Sequence, residues 1–254
     1  MSNHEAKIAL VTGANKGIGS AIAEALGARG VVVLVGSRDP AAGEPVAASI
    51  REAGGKAQVV RIDVTDQASI DAAARSIGAE HGRLDILVNN AGIGDRDDGA
   101  ASTAKVAALR RIFEVNVFGA LAATQALLPL LTKSRGGRIV NVSSALGSLA
   151  LVAPLDSPYR IPLLGYKASK AALDMMTVEL ARELQGTKIK VNAAAPGYTE
   201  TDLNRHLTLS RPSIGGERKG QTLEEAAKVA VELALLGDDG PTGRFLSNQG
   251  EIPF

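Results

Sequence analysis

The amino-acid sequence predicts an α/β fold: a doubly wound parallel sheet of the Rossmann type in a single domain. Strand-like and helix-like segments alternate along all 254 residues, and helices between strands imply parallel strands joined by right-handed crossovers. A glycine-rich stretch follows the first strand, and this fold binds its ligands at the carboxyl ends of the strands. The predicted strands are 7–12, 31–36, 57–62, 84–88, 137–142, 188–193 and one near Phe245.

Helices are predicted between these strands from the spacing of apolar residues. They cover 18–29, an alanine-rich segment up to about 53, 67–80, 103–115, 117–133, 167–184 and 223–236. No linker rich in proline, glycine or serine divides the chain, so one domain spanning 1–254 is expected. The segment 145–165 fits no regular element, and a long loop inside a compact domain is usually functional.

Composition and charge exclude several classes of protein. Hydrophobic residues make up 45% of the chain but aromatic residues only 3%, so alanine, valine, leucine and isoleucine must form the core, as suits covered parallel strands. The net charge of +1 provides no strong field to attract nucleic acid or an anionic membrane. Cysteine is absent, which excludes disulfides and thiolate metal sites. The histidines, His4, His81 and His206, form no ligand motif, and we expect no metal.

The most apolar helix candidate, 115–131, is interrupted by Asn116, Gly119, Thr124 and Gln125. These residues predict a buried helix rather than a membrane span. The amino-terminal sequence has no long apolar run ahead of a cleavage site. A cytoplasmic enzyme is therefore the expectation.

The glycine-rich stretch TGANKGIG, residues 12–19, lies between a predicted strand and a predicted helix. Its glycines allow the backbone to turn tightly and approach a pyrophosphate, and the helix would offer its first amides to the negative charge. A glycine turn without a ligand is the alternative, but the strand and helix on either side favour dinucleotide binding. The residues predicted to contact the cofactor here are Gly13, Asn15, Lys16, Gly17, Ile18 and Gly19.

The end of the second predicted strand, Gly36-Ser37-Arg38-Asp39, indicates which dinucleotide is bound. NAD enzymes usually place a carboxylate there to hold the ribose 2′-hydroxyl. Ser37 is neutral, and Arg38 suits a 2′-phosphate, with help from Lys16 in the glycine loop. We therefore expect NADP(H), provided that Asp39 points away from the phosphate. The alternative is that Arg38 and Lys16 are solvated surface charges.

The chain resembles the short-chain dehydrogenase/reductase family over essentially its whole length. The motifs that carry the resemblance are TGANKGIG at 12–19, Asp63-Val64, NNAG at 89–92, Asn116, Ser143-Ser144, YKASK at 166–170 and PGYTETD at 196–202. The form of the glycine motif and the ending from 223 to 254 resemble the carbonyl-reductase branch. The resemblance implies an NADP(H)-dependent oxidoreductase that reduces a ketone or aldehyde by hydride transfer, with a tyrosine as proton donor.

The resemblance also implies further cofactor contacts. Asp63 and Val64 would border the adenine, although Asp63 could instead be a turn or N-cap residue. Thr201 would contact the nicotinamide amide or the diphosphate. The remaining residues expected to line the cofactor are Asn89, Ala91, Gly92, Pro196, Gly197 and Thr199.

Tyr166 and Lys170 lie four residues apart and therefore share one face of a helix. A free tyrosine has a pKa of about 10, and a nearby ammonium is expected to lower that pKa. Tyr166 could then donate a proton to a developing alkoxide. Tyr159 is a weaker candidate, because Leu163 rather than a lysine follows it four residues later.

Three further roles follow from the resemblance. Lys170 would also hold the nicotinamide ribose, Ser144 would hydrogen-bond the substrate oxygen, and Asn116 would support Lys170 through water. Ser143 remains the alternative to Ser144. The expected partner is a small carbonyl or alcohol substrate.

Two other functions are compatible with the fold. An alcohol dehydrogenase that works in the oxidative direction would use the same residues. A non-catalytic NADP-sensing protein would need none of the chemistry, and the presence of Asn116, Ser144, Tyr166 and Lys170 together argues against it.

More residues separate Ser144 from Tyr166 than in most family members, and the extra residues fall within 148–164. Members that resemble carbonyl reductase carry an insertion at this place. The insertion is rich in leucine. It could wall the substrate pocket, which favours an apolar or aromatic ketone, or it could cover the face that relatives use to form tetramers.

If the insertion at 148–164 covers that face, the protein should be a monomer or a dimer in solution, with a tetramer as the alternative. Multi-angle light scattering at low micromolar concentration measures this directly. A stable tetramer would contradict the prediction.

Overall fold

In the described part of the chain, eight strands form one sheet with helices on both of its faces. The computed structural model describes residues 6–203 and 220–254. The strand order is β3-β2-β1-β4-β5-β6-β7-β8, and every pairing is parallel except that of β7 with β8. The strands are β1 Ile8–Thr12, β2 Val32–Ser37, β3 Lys56–Arg61, β4 Ile86–Asn89, β5 Arg138–Val142, β6 Lys190–Ala195, β7 Phe245–Ser247 and β8 Gly250–Glu251. The predicted fold class is confirmed.

The helices connect the parallel strands. Those with described bounds are α1 Gly17–Gly27, α2 Pro40–Glu52, α3 Gln67–His81, α4 Val106–Phe113, α5 Ala120–Leu131, α6 Leu149–Val152, α7 Leu164–Glu183 and α8 Leu223–Ala234. A π-helical segment, Glu114–Gly119, joins α4 to α5, and a 3₁₀ turn, Ala145–Gly147, follows β5. The chain reverses its direction of winding between β1 and β4, so a crevice is expected at the carboxyl ends of these two strands.

Side chains that alternate along the strands form one core on each face of the sheet. Ala9 and Val11 of β1 pack with α1, α2 and α8, whereas Ile8 and Leu10 pack with α3, α5 and α7. All five residues of β1 are buried, as expected for a strand covered on both faces. The sheet is therefore a rigid platform for the loops at its carboxyl edge.

Three details differ from the prediction. The segment 145–165 contains a 3₁₀ turn and a short helix, and α7 begins at Leu164, three residues earlier than expected. The predicted helix 103–115 begins only at Val106 and continues into the π-helical segment. Strand β8 has two residues, too few to leave a periodic pattern in the sequence.

The helical stretch Val106–Leu131 is the one stretch in the described part of the chain that is long and apolar enough to cross a membrane. A core helix can have the same length and composition as a membrane-spanning helix, so the burial of its side chains distinguishes the two. Ala123, Leu127 and Leu131 are fully buried, and the last two belong to the core formed with α3 and α7. Its packing is that of a core helix, as the polar interruptions predict.

Candidate active site

The glycine-rich loop lies against the end of β4. Gly13 and Gly17 have φ values of +63° and +61°, which glycine adopts at little cost. A Cβ atom on Gly13 would lie 3.0 Å from the Cα atom of Ala91. A Cβ on Gly19 would collide with the Asn90 side chain and with the carbonyl of Gly13. Glycine is therefore required at both positions for the loop to close over β4.

Asn90 stabilises the contact between the glycine loop and the end of β4, a role that the sequence alone does not predict. Its amide donates to the carbonyl oxygens of Thr12 and Gly13, at 2.9 and 3.1 Å. In return, the Thr12 hydroxyl accepts the backbone N–H groups of Asn90 and Ala91, at 3.0 and 3.1 Å. The second asparagine of the NNAG motif was the signal in the sequence that could have revealed it.

The first turn of α1 is open to an anion. Its N-cap residue, Lys16, makes no side-chain capping bond, and the turn contains no acidic residue. The first amides of the helix and its dipole therefore favour negative charge, and the glycine turns leave room for a diphosphate. Asn15 is half-buried in the loop, and Ile18 packs against the core.

Lys16 forms a salt bridge with Asp202, which lies on the other side of the crevice. Its Nζ lies 2.9 Å from an Asp202 carboxylate oxygen, and both side chains are well exposed. Thr201 lies beside the glycine loop, with its methyl group 3.8 Å from the position of a Cβ on Gly17. The segment that follows β6 therefore closes one side of the predicted cofactor site.

At the end of β2, the carboxylate of Asp39 is engaged in a helix cap. The Asp39 carboxylate accepts the Ala41 N–H at 3.0 Å and caps α2. Ser37 is buried, and its hydroxyl donates to the Asp39 carbonyl. Arg38 is exposed, and its charge is one of the weaker influences that lower the pKa of Asp63. The strand end thus presents a cation to solvent.

The carboxylate of Asp63 accepts the backbone N–H and the hydroxyl of Thr65, at 3.0 and 2.8 Å. The backbone hydrogen bond is the main cause of its lowered pKa. Val64 is buried against Gly119, where a Cβ would come within 2.7 Å of the Val64 carbonyl oxygen. Both residues hold a turn beside the crevice, and their contact with an adenine stays a prediction.

The side chain of Asn89 is buried and forms hydrogen bonds within the protein. Its amide nitrogen donates to Thr124 and Asn141, both at 2.9 Å, so it ties β4 to α5 and β5. Gly92 stands at the rim of the crevice. A Cβ there would lie 3.6 Å from the Lys170 Nζ and 3.4 Å from the Asn116 Oδ1. Glycine at 92 therefore keeps space open beside the lysine.

Helix α7 presents Tyr166 and Lys170 on consecutive turns. Both are buried, at 8% and 4% exposure. The Lys170 Nζ donates to the carbonyl of Val142, at the end of β5, at 2.8 Å. It lies 5.7 Å from the centroid of the Tyr166 ring. The structure therefore brings together the two residues that the sequence pairs by spacing.

The two consecutive serines point to different partners. Ser144 lies near enough to the Tyr166 hydroxyl to lower the pKa of Tyr166, and the Ser144 hydroxyl accepts the Leu146 N–H at 3.3 Å. Ser143 is buried, with its hydroxyl 3.5 Å from the Lys170 carbonyl oxygen. Ser144 is thus the serine that faces the tyrosine hydroxyl.

The expected lowering of the Tyr166 pKa is wrong for this arrangement. Burial raises the pKa of Tyr166 to about 12, Ser144 opposes this, and the charge of Asp174 adds to the rise. Burial also lowers the pKa of Lys170 to about 8, so that the lysine is itself weakened as a cation. The tyrosine is therefore a protonated phenol throughout the neutral range.

Asn116 occupies the π-helical segment, a distortion that often marks functional sites. Its side chain accepts the Ile93 N–H at 2.8 Å and donates to the Ile93 carbonyl and the Ser169 hydroxyl, both at 3.0 Å. Asn116 therefore links the loop after β4 to α7, one residue before Lys170.

The loop after β6 completes the crevice. Gly197 has a φ of +85°, and the Gln221 N–H donates to the Tyr198 carbonyl at 2.9 Å. Thr199 is buried and pairs with Gln221 in a short bridge. Pro196 is buried just before this turn. His206 lies outside the described residues.

The segment 148–164 contributes apolar side chains around the tyrosine. A small cluster joins the Tyr166 ring to Leu146, Ile161 and Leu163, with Tyr159 packed against it. Leu149 and Leu155 are instead strongly exposed. The described residues contain no group of histidine, aspartate or glutamate side chains able to hold a metal ion.

Asp98 caps the helix that carries the tyrosine, and sequence reasoning missed it. Its carboxylate oxygens accept the N–H groups of Gly165 and Tyr166, at 2.8 and 2.9 Å. The carbonyl of Gly99 accepts the Leu164 N–H at 2.9 Å. No local sequence pattern predicts this cap, because Asp98 lies more than sixty residues before the start of α7.

Comparison with known proteins agrees with this geometry. Residues 7–211 match the family described as short chain dehydrogenase, and the chain belongs to the short-chain dehydrogenase/reductase family. It is 37% identical to the 3-oxoacyl-[acyl-carrier-protein] reductase FabG of Escherichia coli, over 93% of this chain and 92% of that protein. The protein is therefore an oxidoreductase of the family that interconverts alcohols and carbonyls.

Two solved structures show the same fold. A gluconate 5-dehydrogenase from Burkholderia cenocepacia, in complex with NADP and tartrate, superposes with a TM-score of 0.81, at 27% identity, over 95% of this chain and 92% of that one. A 3-ketoacyl-(acyl-carrier-protein) reductase from Brucella melitensis, complexed with NADH, superposes with a TM-score of 0.82. The two chains are 31% identical, and the match covers 96% of this chain and 97% of that one. These two relatives hold different nicotinamide cofactors.

The Asp98 cap yields a stability prediction. Asp98→Ala should lower the free energy of unfolding by about 1–2 kcal/mol, because two N–H groups at the start of α7 lose their acceptor. Urea denaturation measures this change. Asp97→Ala is the matched control: Asp97 pairs with the exposed Lys105, and exposed pairs contribute little. Equal effects of the two substitutions would contradict the capping role.

Proposed function

We propose that this protein is an NADPH-dependent reductase that converts a ketone or aldehyde to an alcohol, with Tyr166 as the proton donor. The observation that carries the proposal is the convergence of Tyr166, Ser144 and Lys170 beside a glycine loop suited to a diphosphate. A bound nicotinamide would supply the hydride. The residues of the chain supply binding, orientation and the proton.

The tyrosine is suited to the reductive direction. With a pKa raised to about 12 by burial, Tyr166 holds its proton at neutral pH and can transfer it to an alkoxide, which is the stronger base. Ser144, which lies near enough to Tyr166 to lower its pKa, would orient the substrate carbonyl oxygen between the two hydroxyl groups. Oxidation of an alcohol would use the same groups with the proton moving the other way.

Lys170 and Asn116 support the tyrosine. The Lys170 Nζ uses one of its three N–H groups on the Val142 carbonyl, so two remain for the cofactor ribose. Asn116 fixes the loop after β4 against α7 and so keeps the distance from that loop to Lys170 constant. The absence of a side chain on Gly92 leaves space beside the Lys170 Nζ, through which the lysine would reach a bound ribose.

The preference for NADPH rests on charge at the end of β2. Arg38 is exposed there, and Asp39, the acidic residue that would repel a 2′-phosphate, is held in the cap of α2. Lys16 can join Arg38, because its exposed pair with Asp202 costs little to open. Gly13, Gly17 and Gly19 would hold the diphosphate, while Asp63, Val64, Ala91, Thr199 and Thr201 line the remainder of the cofactor site.

The substrate pocket would be bounded by the apolar cluster of Leu146, Ile161 and Leu163 around the Tyr166 ring. Apolar walls favour an apolar or aromatic substituent next to the carbonyl. A panel of acetophenone, benzaldehyde and ethyl acetoacetate, with both cofactors, would separate an aromatic preference from the 3-oxoacyl preference that the name of the Escherichia coli relative suggests.

Tyr166→Phe should lower kcat for carbonyl reduction by about 10² or more, because the general acid is lost. NADPH affinity, measured by fluorescence titration, should stay unchanged. Tyr159→Phe removes a hydroxyl from the same apolar cluster and serves as the control, with near wild-type turnover expected. Near wild-type turnover in Tyr166→Phe would refute the assigned role.

The wild-type enzyme should show a higher kcat/KM with NADPH than with NADH, by roughly 10²-fold, since charged hydrogen bonds contribute about 1.5–3 kcal/mol each. Arg38→Ala should narrow this gap, chiefly through a higher KM for NADPH. Arg51→Ala, which removes an exposed arginine from α2, should leave the ratio unchanged. Equal or better efficiency with NADH in the wild type would disprove the preference.

A further inference from the structure

A third ionisable residue extends the line of Tyr166 and Lys170 along α7. Asp174 follows Lys170 by four residues, as Lys170 follows Tyr166, so the three side chains occupy successive turns of one helix face. Asp174 is 3% exposed, and it lies on the side of Lys170 away from Tyr166. The roles proposed above for Tyr166 and Lys170 make no use of it.

Neither carboxylate oxygen of Asp174 accepts a hydrogen bond within 3.5 Å among the described residues, although the Ser143 hydroxyl lies near enough to lower the pKa of Asp174. Buried carboxylates in folded proteins are nearly always hydrogen-bonded or paired with a charge, so an unpartnered one calls for an explanation. The charge of Lys170, one turn away, is the compensation available on the same helix face. Asp174 and Lys170 therefore form a buried pair of opposite charge without a direct hydrogen bond.

Few other groups act on Asp174. Lys170 and Ser143 are the side chains that lower its pKa. Other charged residues stand on α7 and on the elements packed against it, which are α4, the π-helical segment, the 3₁₀ turn after β5, β5 and β6; the 3₁₀ turn itself carries no charge. These are Lys167, Glu179, Arg182 and Glu183 of α7, Arg110 and Arg111 of α4, Glu114, Arg138 and Lys190. None of them is among the groups that shift the pKa of Asp174.

We propose that Asp174 is a positioning residue whose carboxylate keeps the buried Lys170 ammonium charged, and thereby keeps proton transfer by Tyr166 effective in alkaline solution. The second half of this statement rests on the function proposed above for Lys170 and Tyr166. The statement that Asp174 keeps Lys170 charged concerns the charge pair alone and can be tested without measuring turnover.

The directions of the pKa shifts agree with this role. Burial lowers the pKa of Lys170 to about 8, and the charge of Asp174 opposes that fall. Burial raises the pKa of Asp174 to about 7, and Ser143 and Lys170 oppose that rise. Asp174 also adds to the raised pKa of Tyr166. Loss of the negative charge would therefore lower the pKa of both the lysine and the tyrosine.

The decisive measurement is the pH dependence of kcat/KM for NADPH-dependent reduction of a carbonyl substrate identified by the panel, from about pH 6 to about pH 10. Asp174→Asn keeps the shape of the side chain and removes its charge. The alkaline limb should move to lower pH by about one unit. At the acidic end, where wild-type Asp174 is largely protonated, the two enzymes should converge.

A merely structural role would give a different result. Thr177→Val is the matched control, because Thr177 is fully buried on the next turn of α7 and accepts a hydrogen bond from Asn141. This variant should lose stability without moving the pH profile. If Asp174→Asn lowered activity by the same factor at every pH, or left the profile unchanged, the proposal would be overturned.

Thermal unfolding tests the charge pair independently of activity. The folded-state pKa of Asp174, about 7, exceeds its ordinary value, so the folded wild type binds more protons than the unfolded chain between about pH 4 and 7 and loses stability as pH rises. The Asp174→Asn variant has no carboxylate at this position and therefore does not lose stability in this way as the pH rises. Its Tm relative to the wild type should therefore increase across that window. A difference in Tm independent of pH would refute a buried titrating carboxylate.

A double-variant cycle connects the effect to the lysine. In a Lys170→Met background, Asp174 loses its counter-charge. Between about pH 7 and 8, where Asp174 is ionised and Lys170 is still largely protonated in the wild type, Asp174→Asn should raise the Tm by more in that background than in the wild type. Additive effects would overturn the coupling. A protein inactive toward every carbonyl but coupled in this cycle would refute the proposed function and still support the Asp174–Lys170 pair.

Discussion

The contact between α7 and the turn after β5 is the constraint on which the candidate active site depends. At Gly147, a Cβ would lie 2.8 Å from the carbonyl carbon and the Cβ of Lys170. Because glycine stands there, the helix can pack onto the turn that carries Ser144. Any larger residue would lift α7 away from the sheet and separate Tyr166 from the serine.

Two connections from distant parts of the chain fix the same helix in the other directions. Asp98 holds its first turn through two backbone N–H groups, and Asn116 reaches the Ser169 hydroxyl from the π-helical segment. Both connections begin in or near the loop that follows β4, which also packs under the glycine loop. The catalytic helix and the cofactor loop therefore share one support, and a shift in that support would alter both.

The chemistry of the site follows from how deeply its ionisable groups are buried. Burial favours the neutral form of Tyr166, Lys170 and Asp174 alike. Lys170 and Asp174 oppose this effect in each other, while Ser144 opposes it in Tyr166 and Ser143 opposes it in Asp174. The Val142 carbonyl partly stabilises the ammonium. The consequence is a tyrosine that is harder to deprotonate than a free one and a lysine whose pKa, about 8, lies close to neutral pH.

The sequence by itself determined the alternation of strands and helices, the glycine loop and the pairing of Tyr166 with Lys170, because these depend on local periodicity and short spacing. Only the tertiary structure decided the contacts of Asn90 and Asp98 and the burial of Asp174, because these depend on packing between segments far apart in the chain. It also reversed the expected direction of the tyrosine pKa, since desolvation depends on everything packed around a side chain and leaves no signature in the motif itself.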